Sequence, residues 1–276
     1  MKVLPFTIPK PGFAGLIYQE DYEQVFFNKL HQHREIQISY LVKGSGTLIV
    51  ADAVKTYCSG DVFVIGSHVP HVFKSDEPAE ESSFMKSLFF DRESFGKGFF
   101  DLEETSELDL FFERSRLGMQ VKSGQKIIRS IFDALSESSK FDRFLALLQI
   151  LQLFTYVEVE HLSSSDLSFQ LSSKDGQRLR DVFDYTTRHY QNEISLERIA
   201  EVANMTKTAF CKYFKKRTNK TYNQFLNEYR IEMVSKALKT RSEQSIAQLA
   251  YEHGFGSISN FNKIFKRLKG VPPSAV

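Results

Sequence analysis

The sequence predicts an α+β protein of two domains, with an N-terminal β-barrel or β-sandwich, a helical extension, and an all-α C-terminal domain. Three observations predict this class. A chain of 276 residues is longer than one ordinary hydrophobic core requires. Residues 1–90 consist of short predicted strands separated by glycine-bearing turns. Apolar residues recur at helical spacing through the last hundred residues. The sequence contains no run of about 18 apolar residues, so no membrane span is predicted.

Charge is divided unevenly between the two predicted domains. Residues 174–276 hold 19 Lys/Arg and 10 Asp/Glu, which gives a net charge of +9. The other 17 Lys/Arg and 24 Asp/Glu give −7. A basic domain joined to an acidic one indicates that only the C-terminal part meets a polyanion such as nucleic acid.

Two features bear on the cellular compartment. The two cysteines, Cys58 and Cys211, lie far apart and in no metal-binding or redox spacing. Both are therefore expected to be free thiols in a reducing cytosol. The first thirteen residues contain three prolines and no long apolar stretch, which argues against a secretory signal. The sequence thus predicts a cytoplasmic protein.

The N-terminal segments have the two-residue period of strands. Residues 35–42 alternate between apolar side chains at even positions and polar side chains at 35, 37 and 39. Glycine-bearing turns or a proline lead into further predicted strands at residues 47–51, at 62–65 and from Val69-Pro70-His71 onward. Many short strands of this kind indicate a small all-β barrel or sandwich.

From about residue 95 the pattern becomes helical. Helices are predicted at residues 123–136 and 141–161, and the second carries an apolar stripe that includes Leu147 and Leu151. The stripe has two open interpretations, because it does not name its partner. It packs on the β domain, or part of it forms an interface with a second copy of the chain.

A serine-rich stretch at residues 161–175 lacks periodicity and is expected to contain an interdomain linker. The predicted organisation is therefore a β domain with its helical extension at 1–162, a linker at 163–173 and a helical domain at 174–276.

Capping residues divide the C-terminal domain into helices, the longest of them predicted at residues 222–239. Ser195 and Thr206 are suited to cap the helices that follow them, and Asn219 is suited to end one. Gly254 is expected to end a further helix, and Ser257 to cap the next. Two short helices joined by a tight turn, with a basic outer face on the second, describe a helix-turn-helix motif.

The helix-turn-helix pattern occurs twice. Residues 199–219 read IAEVANMTKTAFCKYFKKRTN, and residues 246–270 read IAQLAYEHGFGSISNFNKIFKRLKG. Each copy begins with Ile-Ala, keeps an Ala four residues after the Ile, and contains Phe-x-x-x-Phe-Lys. In this alignment the turn of the second copy is four residues longer. Two copies in tandem are a much more specific signal than one amphipathic helix pair.

These residues resemble the AraC/XylS family of bacterial transcription regulators. The likeness rests on IAEVANMTKTAFCKYFKK, on the Arg230-Ile231 pair in the connecting helix, and on IAQLAYEHGFGSISNFNKIFKRLKGVPP. It covers residues 174–276 and implies two recognition helices in successive major-groove segments of double-stranded promoter DNA. A connecting helix of about 27 Å fits the helical repeat of the duplex, which is roughly 34 Å.

The resemblance also implies residue roles. The side chains placed toward the bases are Thr208, Cys211 and Lys212 on the first recognition helix, and Ser259, Asn260, Asn262 and Lys263 on the second. The side chains placed near phosphates are Thr206, Lys207, Lys215, Lys216 and Lys266, and Ser257 begins the second recognition helix. Lysine, asparagine and hydroxyl side chains have the hydrogen-bonding groups that such contacts need, whereas a thiol is a weak donor.

The β domain resembles the cupin domains of sugar-responsive AraC-type regulators. The matching residues are His31-Gln32-His33-Arg34-Glu35-Ile36 and, further on, Gly60-Asp61 and Pro70-His71. Cupin enzymes hold a metal with His-x-His, a Glu and a distant His, but here Glu35 follows His33 by only two residues. Because they share parity, His31, His33 and Glu35 are expected on one strand face. Three interpretations of that face are open: it lines a small-molecule pocket together with His71, it is solvated, or it holds a metal. The small-molecule pocket is the preferred interpretation, and no metal or cofactor is predicted.

The sequence thus predicts a transcription regulator, not an enzyme, whose DNA affinity is modulated by a small molecule such as a sugar or related metabolite. A homodimer partner and RNA polymerase are further candidates. Two alternatives stay open: a metal-dependent cupin enzyme with an accessory helical domain, and a regulator that binds DNA without an effector.

Overall fold

The structure is a computed structural model that describes residues 8, 14–26, 29–76, 82–163, 173–239 and 244–276. The chain divides into two compact units. Residues 3–53 and 57–170 form the N-terminal unit, and residues 171–276 form the body of the C-terminal unit. The predicted linker lies outside the described residues except for its first and last positions, so the domain boundaries stay a prediction.

Two sheets form the framework of the N-terminal unit. The strands are β1 Ile17–Glu23, β2 Ile36–Lys43, β3 Gly46–Val50, β4 Ala53–Tyr57, β5 Val62–Ile65, β6 His71–Ser75, β7 Ser83–Phe90, β8 Met119–Val121 and β9 Val159–His161. The larger sheet has the order β1-β7-β2-β5-β8-β9 with antiparallel neighbours, and the smaller has the order β4-β3-β6. The strands predicted around residues 35–42, 47–51 and 62–65 and from His71 are confirmed as β2, β3, β5 and β6.

Strand β2 is buried on both faces. Ile36, Ile38 and Tyr40 belong to one core cluster, which they share with the helices of the N-terminal unit. Gln37 and Ser39 point the other way and are also buried, although they are polar. Between the sheets a second cluster continues this inner face with apolar side chains of both sheets.

Three α-helices cover the outer face of the larger sheet: α1 Asp109–Ser115, α2 Gln125–Ala134 and α3 Lys140–Leu153. Leu147 and Leu151 of α3 are fully buried in the cluster that contains β2, so the apolar stripe packs on the sheet. The predicted helix at 141–161 is wrong in its last third. The chain turns after Leu153, and β9 then pairs with β8, a long-range contact that the local periodicity does not encode.

The C-terminal unit consists of helices. They are α4 Ser173–His189, α5 Leu196–Val202, α6 Lys207–Thr218, α7 Tyr222–Lys239, α8 Ile246–Glu252 and α9 Ile258–Lys269. The predicted caps are confirmed, since the hydroxyls of Ser195, Thr206 and Ser257 each accept a hydrogen bond from the backbone N–H three residues on. Asn219 and Gly254 have left-handed backbone conformations. None of the described helices combines the length and apolar character that crossing a bilayer requires.

The two helix-turn-helix motifs align differently from the frame that the sequence suggested. In space Ser195 corresponds to Ser245 and Thr206 to Ser257, because each of these residues caps a helix of its motif. The repeated Ile-Ala pairs therefore do not correspond, and Leu249-Ala250 is the buried counterpart of Ile199-Ala200. The caps are 11 residues apart in the first motif and 12 in the second. The second turn is thus longer by one residue, and the predicted difference of four is wrong.

Both turns close in the same way. The N–H of Met205 donates to the carbonyl of Ala200 at 2.9 Å, and the N–H of Phe255 donates to that of Ala250 at 3.0 Å. The residue before each donor, Asn204 or Gly254, has a positive φ, of 52° and 85° respectively. Such a left-handed residue lets the chain leave one helix and bring the next across it.

We expect Gly254→Ala to destabilise the C-terminal unit by about 1–3 kcal/mol, because alanine at this φ is strained. In addition, a Cβ here would lie 2.6 Å from the carbonyl oxygen of Tyr190. Urea unfolding followed by far-ultraviolet circular dichroism measures the loss. Gly256→Ala is the matched control, since a Cβ there meets no atom within 4 Å. Equal effects of the two substitutions would contradict this account of the turn.

Candidate nucleic-acid interface and ligand pocket

Helices α6 and α9 have the same construction. Each begins at a hydroxyl cap and buries two phenylalanines four residues apart, Phe210 and Phe214 in α6 and Phe261 and Phe265 in α9. This i, i+4 pair fixes one face of each helix inward and leaves the rest of the surface outward. Each helix ends at a left-handed residue, Asn219 or Gly270.

All the side chains predicted to contact DNA lie on the exposed surface of these helices or at their first turns. They are Thr206, Lys207, Thr208, Cys211, Lys212, Lys215, Lys216, Ser257, Ser259, Asn260, Asn262, Lys263 and Lys266. The assignment of bases and phosphates to individual side chains stays a prediction.

The lysines of this surface are mostly uncompensated by carboxylates. Lys207 forms an ion pair with Glu197, with 2.7 Å between Nζ and Oε1. Within the described part of the chain, no ion pair is formed by the other five lysines: Lys212, Lys215, Lys216, Lys263 and Lys266. Their charges are thus available to a polyanion.

One exposed cation was missed from the sequence. Arg267 is exposed in the last turn of α9, ten residues after the cap Ser257. Lys216 lies at the same distance from Thr206 in α6. An alignment anchored on the caps, in place of the Ile-Ala pairs, would have identified Arg267 as its counterpart.

Arg230 of α7 joins the end of α4 to the second motif. Its Nε donates to the carbonyl of Tyr190 and its Nη2 to that of Asn192, both at 2.8 Å. The guanidinium also packs beside Gly254 and lies 5.9 Å from the ring centre of Phe255. Burial lowers the pKa of Arg230. Arg230 therefore has a structural role, since it links the end of α4 to the second helix-turn-helix motif.

The inner face of β2 opens on a cavity of about 310 Å³ in the N-terminal unit. Its apolar lining includes Phe26, Phe73, Met85 and Phe89. Its polar lining consists of His31, Gln37 and His71, which form a polar end, and of Gln19, Asp21 and Glu23 on β1. This mixture of an apolar wall and a few polar groups is typical of small-molecule pockets.

Three imidazoles meet at the polar end of the cavity, and those of His31 and His71 line it. The ring centres of His31 and His71 are 4.4 Å apart, and those of His33 and His71 are 5.0 Å apart. One ligand atom from each of His31, His33 and His71 lies within 4.8 Å of the others, a group that could hold a metal ion. His33 and His71 are only 4% and 1% exposed.

Buried imidazoles here are neutral. Burial lowers the pKa of His33, and burial together with the neighbouring His31 and His33 lowers that of His71 well below its usual range. The Nδ1 atoms of His33 and His71 lie 2.8 and 2.9 Å from the carbonyl oxygens of Glu35 and Val69. Since a carbonyl only accepts, Nδ1 carries the proton in both rings and Nε2 carries the lone pair.

The predicted placement of Glu35 is wrong in part. His31, His33 and Glu35 do not share a strand face, because β2 begins at Ile36 and His31 forms an isolated bridge with His71. The residue that joins the histidines is Gln37, whose side-chain amide lies 3.2 Å from Nε2 of His33 and 3.1 Å from Nε2 of His71. Burial of His33, Glu35 and His71 also excludes a solvated face.

Comparison with known families covers both units. Residues 13–154 match the family model described as an AraC-like ligand binding domain, and residues 199–276 match that of a helix-turn-helix domain. Together with the fold, these matches define a DNA-binding transcription regulator that carries a ligand-binding domain. The chain belongs to the AraC family of such regulators, a family of transcription factors and not of enzymes.

Individual relatives are distant. The chain is 22% identical to the uncharacterized HTH-type transcriptional regulator YdiP of Escherichia coli, across 96% of this chain and 85% of that protein. It is 23% identical to the probable transcriptional regulator LumQ of Photobacterium leiognathi, across 88% and 90%. The match to the regulator YdeC of Bacillus subtilis, at 30% identity, covers 35% of this chain and only 33% of that protein.

Solved structures are likewise distant. Fatty acid-bound ToxT of Vibrio cholerae aligns with 95% of this chain and 92% of its own at 17% identity and a TM-score of 0.36. The DNA-binding domain of AdpA, solved with a target DNA, aligns with 36% of this chain and 88% of its own at 25% identity and a TM-score of 0.33.

We expect Arg230→Met to lower the free energy of unfolding of the C-terminal unit by about 1–3 kcal/mol, since two carbonyls lose a charged donor. Urea unfolding measures this loss. Arg188→Met, which removes an exposed arginine from α4, should change it by less than about 0.5 kcal/mol. If both variants unfolded like the unmodified chain, Arg230 would have no role in stabilising the C-terminal unit.

Proposed function

We propose that this regulator binds specific promoter sites by placing α6 and α9 in successive major-groove segments of one duplex. The observation that carries the proposal is the exposed surface of the two helices, which offers lysines and hydroxyl groups at corresponding positions. Lys212 corresponds to Lys263 and Thr208 to Ser259, and α9 adds Asn260 and Asn262. Lysine can pair with guanine and asparagine with adenine in the major groove. The lysines nearer the helix ends serve as phosphate contacts, which position the protein without reading sequence.

The assignment of base and phosphate contacts leads to different expectations for different lysines. Lys212→Ala and Lys263→Ala should each weaken binding to a native site by about 1–3 kcal/mol and relax base preference there. Lys216→Ala should weaken binding to all sequences and reduce the salt dependence by about one phosphate contact. Titrations of genomic and scrambled DNA at several salt concentrations measure both effects.

A matched control is Lys97→Ala, which removes an exposed lysine between β7 and α1 in the N-terminal unit. Its DNA affinity and salt dependence should equal those of the unmodified chain. Similar losses in all four variants would mean that net charge, and not the recognition helices, determines binding.

We further propose that a small polar metabolite, such as a sugar, binds in the cavity beside β2 and changes DNA affinity. The size of the cavity and its polar end support this class of effector. The effector can change DNA affinity only by the ratio of its own affinities for the two conformers.

A second copy of the chain is the proposed partner of the outer surface of α2 and α3, where Ile127 and Phe141 are 53% and 67% exposed.

Filling the cavity tests the effector proposal. Met85 is buried in the cavity wall, so we expect Met85→Trp to bind DNA normally and to lose its response to sugars and related metabolites. Footprints with and without each compound of such a panel measure the response. Leu102→Trp adds a large side chain at a position that is 51% exposed and lies outside α2 and α3, and it should respond normally. A response retained by Met85→Trp would place the effector elsewhere.

A further inference from the structure

The histidine cluster has the organisation of a metal-binding site. Each ring lies near a backbone carbonyl through Nδ1, with His31 at 2.9 Å from the oxygen of Lys29, His33 at 2.8 Å from that of Glu35, and His71 at 2.9 Å from that of Val69. Metal-binding histidines are oriented in this way, because a hydrogen bond at one nitrogen fixes the ring and directs the other nitrogen to the ion.

We propose that His31, His33 and His71 bind a divalent transition-metal ion through Nε2, and that Gln37 controls access to this site. Imidazole suits zinc, nickel, copper and cobalt, and three histidines form a recognised ligand set for zinc. A metal that is bound only by neutral imidazoles keeps its full charge, so it would attract an oxygen-bearing ligand in the adjoining cavity.

The Gln37 side chain contacts two of the three nitrogens that would face the metal. Nε2 of His33 and Nε2 of His71 both face the Gln37 amide, at 3.2 and 3.1 Å. The Gln37 atom nearest both histidines is placed as its oxygen Oε1, with its nitrogen donating to Ser39. An oxygen cannot satisfy two imidazole lone pairs. With Nδ1 protonated in both rings we therefore infer the opposite amide orientation, in which the NH₂ group faces the two histidines and the oxygen faces Ser39. Gln37 thus occupies the same two lone pairs that a metal ion would need.

This competition connects the cluster to the interior of the sheet. The Gln37 amide lies 2.8 Å from the hydroxyl of Ser39, and that hydroxyl lies 2.8 Å from the hydroxyl of Ser87 on β7. All three side chains are buried. When a metal takes the two lone pairs, the NH₂ group of Gln37 must leave them or turn its oxygen toward the ion. Either movement breaks the hydrogen-bonded chain from Gln37 through Ser39 to Ser87.

The position of Gln37 distinguishes this site from the one that the sequence considered. There the spacing of Glu35 argued against a metal. In the structure Glu35 contributes its backbone carbonyl, and its carboxylate lies 3.9 Å from Nδ1 of His33, on the side away from the cluster's Nε2 atoms. The side chain that faces the Nε2 atoms is therefore the amide of Gln37 and not a carboxylate. A neutral amide competes only weakly with a metal ion for the histidines, whereas a carboxylate in its place would itself bind the metal.

The test is titration of the full-length chain, first freed of metal with a chelator, with Zn²⁺ and with Co²⁺. We expect one ion per chain by calorimetry, and the intense visible absorption of low-coordinate Co²⁺ bound to nitrogen ligands. His71→Ala should weaken binding at least about a hundredfold. His161→Ala removes an exposed histidine from β9 and should bind like the unmodified chain.

Gln37→Glu separates the metal site from a merely structural cluster. It replaces the competing amide by a carboxylate, so it should bind the metal at least about tenfold more tightly. Far-ultraviolet circular dichroism confirms that each variant is folded. The proposal is overturned by the absence of a stoichiometric ion, by equal binding in folded His71→Ala, or by unchanged affinity in Gln37→Glu. No DNA enters this experiment, so its failure would leave the proposed function untouched.

Discussion

Burial of β2 on both faces is the constraint that organises the N-terminal unit. Its even positions pack against the helices that cover the larger sheet, and Tyr40 lies 6.0 Å from Phe132 of α2, measured between ring centres. Its odd positions face the space between the sheets, where Gln37 and Ser39 are polar. A buried polar side chain needs partners, and these two satisfy each other and the neighbouring histidines and Ser87. The apolar layer therefore stabilises the strand, and the polar layer gives the cavity its chemistry.

In the C-terminal unit two short helices expose most of their surface and must nevertheless remain folded. A helix of 12 residues is marginal in isolation, so α6 and α9 depend on their buried phenylalanines and caps. Phe214 contacts Phe225 of α7 at 5.8 Å between ring centres, and Lys269 of α9 pairs with Glu232 of α7 at 2.7 Å. Both recognition helices thus rest on α7, whose Arg230 also holds the end of α4. Because the inner faces carry the stability, the outer faces are free to vary in chemistry.

Local signals predicted the helical unit well, and long-range pairing limited the rest. The bounds of α7 were predicted to the residue, since a polar turn precedes Tyr222 and apolar spacing continues to Lys239. Capping hydroxyls likewise located α5, α6 and α9. In contrast, β8 and β9 are three residues each, and their pairing depends on residues about 40 positions apart, which no local pattern records.

The candidate ligand site shows the same division between local and long-range information. The sequence identified His31, His33 and His71, which the fold brings together, but it grouped them with Glu35 on the assumption of a continuous strand. Gln37 was assigned to the polar face of β2 without a role, since its two histidine partners are 4 and 34 residues away. The same strand carries Ile38 toward the helices, between Gln37 and Ser39. We infer that a ligand acting on Gln37 perturbs a strand whose opposite face is packed against α2 and α3. Close packing on that face makes a local displacement costly unless the helices adjust with it, so the helical layer is the element through which occupancy of the cavity would be sensed.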